Sequence, residues 1–576
     1  MPFNGLKNMT GTSLLKDPIS KESFKKSAAD YFKNMFAFDL KAGFITAVVA
    51  LPLSIGFAVA SGVDPSMGIY TAAVAGFLAS LFGGSKFSIT GPTGSMAVVV
   101  LAAMGQYGLE GLFLATVLAG LIQILLGVLK LGKIIKFMPL PLMSGFTAGL
   151  GLMIIVAQIP NALGIDIPEY DSTPEMLLLV LESLGSINPI VILMTIGTIL
   201  LIRLLPRLTK NKKYLSSVPP TIVALILAVI ILFVLHLEIP TVGAIPPKLP
   251  TFSLFSISLG LALNVLPFAL MLVLLGTLES LLCAVVCDGM TATKHDSDRE
   301  LIGQGIAKVV TPFFGGLPST AAISRSTVNI REGAKTRASG LLHAVFLLLI
   351  MLFFGGVGAY LPYAFVAGVL FTVALPMVNL REFKVMLNYD RGSAAIFGIT
   401  FILTVFTDML LALEVGILLT MIKFMYDMAQ SVQINTMEEY DSTDSTEQIR
   451  MLHDKFGEKL AIYTINGPFF FGAMNVFDQK VDVHLPNKRR VIIIRMRYVP
   501  YVDTTAVSRL NEFIENRNKE NKYVLITGIR PTVKKYLLRD EKFDKHVRNK
   551  EVYLFDTTEL AVKYAVNEIF PTFENK

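Results

Sequence analysis

Apolar runs separated by short polar breaks fill the chain from about residue 38 to residue 430. In order they cover residues 42–63, 68–81, 112–129, 140–163, 190–205 and 221–237, then 261–289, 301–314, 341–360, 364–378, 394–409 and 411–426. A run of roughly 20 apolar residues matches a hydrocarbon core about 30 Å thick, so the longer runs predict membrane-spanning helices. Residues 174–184 are too short to span and read as an interfacial or partly buried helix. Two stretches break the pattern. Residues 82–98 read FGGSKFSITGPTGSMAV, and residues 314–334 read FGGLPSTAAISRSTVNIREGA. Each opens on Phe-Gly-Gly, passes through a short extended-looking run, and reaches small residues that can start a helix, near Thr93 and near Ala322. Counting both as segments gives about seven per half and about 14 in all.

A helix that starts at mid-bilayer leaves its first N–H groups unpaired there. Those groups, with the positive end of the helix dipole, suit an anion. Interrupted segments at matching places in two halves are a sequence pointer to a transporter site.

Loop charge fixes the orientation. The first 37 residues are a basic arm holding Lys7, Lys16, Lys21, Lys25, Lys26 and Lys33. With that arm in the cytoplasm, alternate loops should be basic. They carry Lys86; Lys130, Lys133 and Lys136; Arg203, Arg207, Lys210, Lys212 and Lys213; Lys294 and Arg299; Arg331, Lys335 and Arg337; Arg381, Lys384 and Arg391. The opposite loop at 164–186 has Asp166, Glu169, Asp171, Glu175 and Glu182 and no Lys or Arg. Both termini are expected in the cytoplasm. An odd count per half makes the halves, about 38–237 and 258–430, inverted repeats.

After residue 430 the composition changes. Residues 431–456 read as a polar linker, and 457–570 as a small α/β domain in which strands and helices alternate. Composition agrees with the membrane reading: 53% of residues are hydrophobic and 16% charged, with mean hydropathy +0.60, against roughly 25% charged in a soluble domain. The net charge of +7 is explained by the basic cytoplasmic loops, and no nucleic-acid partner is expected. Cys283 and Cys287 share a helix face and form no disulfide framework. The polar start of the chain has no apolar core of a cleavable leader after it. No metal cluster, nucleophile–base set or GxxxxGK[ST] loop is present, so neither an enzyme nor a cofactor is expected.

GPTGSMA at the first break, FGG…AAISRSTVN at the second, ESLLCAVVCDGMT before it, and VIIIRMRYVPYVDTTAVSRL in the tail resemble the SulP anion permeases (solute carrier family 26) with a C-terminal STAS domain. The resemblance covers roughly residues 38–568. It implies a polytopic α-helical protein of 14 segments in two inverted repeats, divided into core and gate, usually dimeric in the cell membrane. It also implies an anion held between the starts of the two broken helices, and cytoplasmic partners for the STAS domain. The wording around ESLLCAV is similar to bacterial C4-dicarboxylate members, whereas the family at large favours sulfate; bicarbonate is a further candidate.

The residues follow. Thr93, Gly94 and Ser95 on one side, and Thr320, Ala321, Ala322 and Ile323 on the other, offer N–H groups, hydroxyls and little bulk; small residues also serve helix packing. Ser324, Arg325 and Ser326 match the family's SRS motif, whose arginine supplies positive charge near the substrate. A charge inside a membrane segment is costly and functional by default. Phe57 is a candidate lining residue. Glu279 lies in an apolar run with no other charge for eight residues on either side. Its protonated form is the cheaper state there, so it is the candidate for coupling, with an ion pair to Arg325 as the structural alternative. In sodium-dependent bicarbonate members an Asp at this position and a Thr four later help hold sodium. Here the pair is Glu279 and Cys283, and a thiol is a poor ligand for a hard cation. Coupling to protons is therefore favoured over sodium. Asp288 reads as a helix-end residue and His295 as solvated. Asp503, Thr504 and Thr505 occupy the STAS position where a hydroxyl is phosphorylated in regulatory relatives, with a helix N-cap as the simpler role.

Overall fold

The computed structural model describes residues 35–132, 139–168, 173–209, 219–255, 258–407, 409–436, 459–482 and 489–571. The basic arm up to residue 34, most of the linker, and loop residues Lys133, Lys136, Glu169, Asp171, Lys210, Lys212 and Lys213 lie outside the described residues. The chain divides into two units, Met1–Ile417 and Leu418–Lys576.

In the first unit, α1 (Phe36–Ala60) and α2 (Pro65–Phe82) lead to β1 (Thr90–Gly91). Asp64 caps α2 by accepting from the Ser66 N–H at 2.8 Å, with proline at the first helical position. Next comes α3 (Gly94–Val128), which bends at Gly108, where φ is 64°. With ψ at −168° the backbone is not helical at Gly108, so two helices meet there, in keeping with the separate segments predicted from near Thr93 and at 112–129; glycine reaches that φ and ψ without a Cβ clash. α4 (Leu140–Ala157), the single turn α5 (Ile159–Leu163), α6 (Thr173–Glu182), α7 (Pro189–Leu208) and α8 (Pro220–Leu235) complete the first half.

The second half has α9 (Leu259–Thr291), α10 (Ser297–Val310), β2 (Thr320–Ala321), α11 (Ile323–Arg331), α12 (Ala338–Phe354), α13 (Tyr363–Ala374), α14 (Leu380–Tyr389), α15 (Arg391–Phe406) and α16 (Met409–Gln430). Of the described helices, α1, α2, α3, α4, α7 and α9 are long and apolar enough to cross a membrane, and α8, α12, α13 and α15 are shorter apolar helices.

α14 departs from the sequence reading, which placed a basic loop at Arg381 and Lys384. It is a helix capped by Asn379, and none of its residues is buried. Its place between α13 and α15 matches that of α6 between α5 and α7. One short helix thus lies in the predicted acidic outer loop and its counterpart in a predicted basic inner loop, as inverted repeats require.

Two groups of helices pack within this unit. α3 lies against α9 and α10, α10 against α2, and α12 against α1 and α2. α15 lies against α4, and α13 against α7. Small residues allow the close crossings: a Cβ on Gly120 of α3 would sit 2.6 Å from the Gly305 carbonyl oxygen of α10. Only 22% of the apolar window of α7 is buried, against 72% for α1. Leu193 and Phe233 stand exposed on α7 and α8, a surface suited to lipid rather than water.

The second unit holds a five-stranded sheet of β3 (Gln433–Thr436), β4 (Leu460–Asn466), β5 (Val491–Tyr498), β6 (Tyr523–Thr527) and β7 (Val552–Phe555), in that order. β4 to β7 pair in parallel, with Ile493 opposite Ile462 and Leu525, and β3 adds an antiparallel edge. The sequence reading placed Gln433–Thr436 in the polar linker; pairing with β4 satisfies its backbone instead. β5 is buried on both faces, Ile492 and Ile494 in one core and Val491 and Ile493 in the other, as a covered parallel sheet requires. Helices α17 (Met474–Phe477), α18 (Thr504–Lys519), α19 (Pro531–Leu537), α20 (Glu541–Arg548) and α21 (Thr558–Tyr564) supply the cover. The Asp503 carboxylate caps α18 by accepting from the Ala506 N–H at 2.8 Å, and it also accepts from the Phe471 N–H at 3.1 Å. Thr504 and Thr505 are exposed.

Candidate functional site

The two broken stretches meet. β1 and β2 form one short antiparallel pair, with Thr90 opposite Ala321 and Gly91 opposite Thr320. Each strand then turns into a helix, β1 through Thr93 into α3 and β2 through Ala322 into α11. The Thr93 and Thr320 hydroxyls are 3.3 Å apart, and the Ala322 N–H donates to the Ile89 carbonyl at 2.9 Å. Neither helix has a side-chain cap, so the first N–H groups of both are left for another acceptor.

α9 brings Glu279 to this junction. Its Oε2 accepts from Thr320 Oγ1 at 2.7 Å and from Thr93 Oγ1 at 3.1 Å, and its Oε1 accepts from Ser95 Oγ. The carboxylate is thus held by three hydroxyls from both halves. A hydroxyl can donate or accept, so the same partners satisfy a carboxylate and a carboxylic acid. No ion pair joins Glu279 to Arg325 among the described residues.

Arg325 is 1% exposed. Its Nη2 donates to the Pro92 carbonyl at 2.8 Å, and a Cβ on Gly91 would lie 2.1 Å from its Nη1. The guanidinium therefore sits behind β1. Ser326 Oγ donates to the Ala322 carbonyl at 2.8 Å and accepts from the Ile89 N–H at 2.8 Å. The Cys283 thiol donates to the same Ser326 Oγ at 3.1 Å. Cys283 is thus brought to the joint between α9 and α11, not among the partners of the Glu279 carboxylate.

Gly94, Ala321 and Ala322 are buried, whereas Ile323 and Ser324 are exposed. Ala321 N–H donates to Ser280 Oγ at 3.2 Å. Phe57 is 5% exposed and packs over Gly94, where a Cβ would be 3.3 Å from its ring and 2.8 Å from Ile154 Cδ1. Asp288 closes the turn between α9 and α10 by accepting from the His295 N–H at 2.9 Å and from Thr293 Oγ1 at 3.1 Å. His295, expected to be solvated, instead has its side chain only 10% exposed, with Nδ1 2.7 Å from Asp288 Oδ2; the turn folds the ring onto the carboxylate.

Sequence reasoning missed a buried polar stripe on α10, Glu300, Gln304 and Lys308. Gln304 Nε2 donates to Thr90 Oγ1 at 2.7 Å and to Glu300 Oε1 at 3.0 Å. Glu300 Oε2 accepts from the Gly84 and Ser85 N–H groups, each at 2.8 Å. The signal was present as polar residues at intervals of four on a helix that had to be buried. His343 on α12 was also missed; it is fully buried.

Residues 36–400 match the sulfate permease family, and residues 454–561 match the STAS domain. The chain is 35% identical over 522 residues to YvdB of Bacillus subtilis (strain 168), provisionally named a sulfate transporter, covering 89% of this chain and 96% of that one. It is 29% identical over 565 residues to the bicarbonate transporter BicA of Picosynechococcus sp. (strain ATCC 27264 / PCC 7002 / PR-6), covering 94% and 96%. The structure of SLC26A9 shares the fold, with a TM-score of 0.82 at 16% identity and 96% of each chain covered. The chain belongs to the sulfate permease family, whose members are membrane transporters rather than enzymes, and it carries a C-terminal STAS domain.

Proposed function

We propose that this chain is a secondary active transporter that carries a compact oxyanion, sulfate or bicarbonate, together with a proton by alternating access. It would act as a homodimer in the cytoplasmic membrane, with both termini in the cytoplasm and the STAS domain available to protein partners. The observation that carries the reading is the Glu279 carboxylate gripped by Thr93, Ser95 and Thr320 where two uncapped half-helices start.

The helix N-termini and the Arg325 charge behind β1 attract the anion. Protonating Glu279 removes the one negative charge hydrogen-bonded at that junction, and the hydroxyls accommodate either form. Proton and anion then bind together and leave together. The apolar crowding of Gly94 by Phe57 and Ile154 favours a compact oxyanion over a C4-dicarboxylate. A sodium-coupled bicarbonate symporter is the second reading, supported by the likeness to BicA. The Cys283 thiol, bonded to Ser326 and soft for a hard cation, favours the proton.

Proteoliposomes with purified protein decide the matter. Labelled sulfate, bicarbonate and succinate would be offered in turn under an imposed proton or sodium gradient. Uptake of one anion driven by protons, with gradient dependence lost in Glu279→Gln, is the expected result. Sodium-driven uptake, or flux indifferent to either gradient, would replace this reading by the symporter with sodium or by an uncoupled channel or exchanger.

A further inference from the structure

A lysine that the proposed transport cycle leaves unused lies close to Glu279. Lys308 on α10 is 0% exposed. Its Nζ donates to Gln123 Oε1 on α3 at 2.8 Å, and Gln123 Nε2 donates to Thr277 Oγ1 on α9 at 3.1 Å. The ammonium lies over Gly276 of α9: a Cβ there would be 2.6 Å from Nζ and 3.1 Å from Cε. Gly276 precedes Glu279 by three residues, which is within one helical turn, about 5.4 Å of rise. A buried ammonium with so little hydrogen bonding needs a negative charge nearby to be stable.

The groups around it are few. α3 offers Gln123; its titratable residues, Tyr107 and Glu110, lie at least 13 residues earlier on the helix. α9 offers Thr277 and Glu279; its thiols Cys283 and Cys287 meet Ser326 and Ser88, and Asp288 at its far end is bonded to His295. α10 itself offers Gln304 and Glu300, one and two turns back, and the Glu300 oxygens already accept from Gly84, Ser85 and Gln304. α2 has Tyr70 as its titratable residue, and its hydroxyl donates to the Lys248 carbonyl at 3.1 Å. β1 and β2 contribute hydroxyls. Both carboxylates, Glu279 and Glu300, act on the ammonium; Glu279 is the one on the helix over which the ammonium lies, and its hydroxyl partners suit either protonation state.

We infer that Lys308 is the resident charge partner of Glu279, a positioning residue that sets when the carboxyl gives up its proton. The charge count gives the consequence. With Glu279 and Glu300 ionised and Lys308 and Arg325 protonated, these four charges cancel. A proton on Glu279 leaves one net positive charge at the moment the half-helices receive an anion. This consequence rests on the proton-coupled reading; the charge pair itself does not.

The test uses full-length protein in lipid nanodiscs as wild type, Lys308→Met, Lys308→Arg, Glu279→Gln and the Lys308→Met/Glu279→Gln double variant. The protonated carboxyl of Glu279 is identified as the infrared C=O band lost in Glu279→Gln, and its disappearance is followed with pH. In Lys308→Met the band should persist about one pH unit or more higher than in wild type, a tenfold change in proton affinity, and Lys308→Arg should stay close to wild type. Each single neutral variant should lower the melting temperature, and the double variant should recover part of that loss. This second readout serves if Lys308→Met alone folds poorly. A band with the wild-type pH dependence in Lys308→Met, or losses that simply add in the double variant, would overturn the inference. The displaced band together with uptake indifferent to protons would support the charge pair and refute proton coupling.

Discussion

Arg325 Nη2 donates to the Pro92 carbonyl oxygen across 2.8 Å and so ties the half-helix of one repeat to the backbone of the other. The bond exists because Gly91 leaves the guanidinium room; a Cβ there would fall 2.1 Å from Nη1. The positive charge is thereby fixed behind the strand pair.

Gly91→Ala should act as an arginine variant in disguise. The added methyl must displace the guanidinium or open the pairing of Gly91 with Thr320. Anion affinity, measured by isothermal titration, should fall about tenfold or more, equivalent to about 1.4 kcal/mol. Arg325→Ala should fall at least as far. Unchanged affinity in Gly91→Ala would mean that the guanidinium does not act through β1.

Thr320→Val should cost more than Thr93→Val. Thr320 donates to Glu279 at 2.7 Å and Thr93 at 3.1 Å, and a hydrogen bond to a charged group contributes about 1.5–3 kcal/mol. The proton dependence of uptake should weaken in Thr320→Val, read as a smaller response to an imposed pH gradient. Equal effects of the two substitutions would contradict the geometry.

Cys283→Thr should leave the coupling ion unchanged. The side chain at this position meets Ser326 rather than the Glu279 carboxylate, so a hydroxyl there would join the α9–α11 contact. Uptake in sodium and in potassium buffers should be equal. A new sodium requirement would mean that residue 283 can reach a cation beside Glu279.

In the STAS domain, Asp503→Ala should lower stability by about 1 kcal/mol, the usual contribution of an N-cap, because Ala506 and Phe471 lose their acceptor. Asp503→Asn should retain most of it. Hydrogen exchange of the first turn of α18 in the full-length protein reads the difference.

The same domain should loosen on acidification. A hydrogen bond from His546 is the largest cause holding the Glu551 carboxyl below its ordinary range. A carboxyl depressed in the folded state contributes stability above the unfolded value, and that stability is lost as pH falls through the folded value. Protection of α20 and β7 should therefore hold at neutral pH and decline below the ordinary carboxylate range. Glu551→Gln should flatten this dependence, although the exposure of the group keeps the effect small.

What the sequence determined by itself was the part that depends on local chemistry. Lipid demands long apolar helices whose backbone is satisfied internally, so α1, α4, α7 and α9 could be read from run length. The two Phe-Gly-Gly breaks and the lone Glu279 stood out against apolar neighbours for the same reason. Alternating strands and helices announced the second unit. The short amphipathic α14 and the polar edge strand β3 were not legible, because neither carries an apolar run; partners supplied by the fold give them their form.

Only the tertiary structure decided which side chains meet. Thr93 and Thr320 are 227 residues apart in the chain, and local pattern carries no information about the pairing of β1 with β2. It was packing that turned Arg325 behind Gly91, drew Cys283 to Ser326 instead of Glu279, and buried Lys308 between α3 and α9. The sequence reading passed over Lys308, which lies within the apolar run 301–314. Its burial between helices, where charges interact more strongly than in water, is what the fold adds.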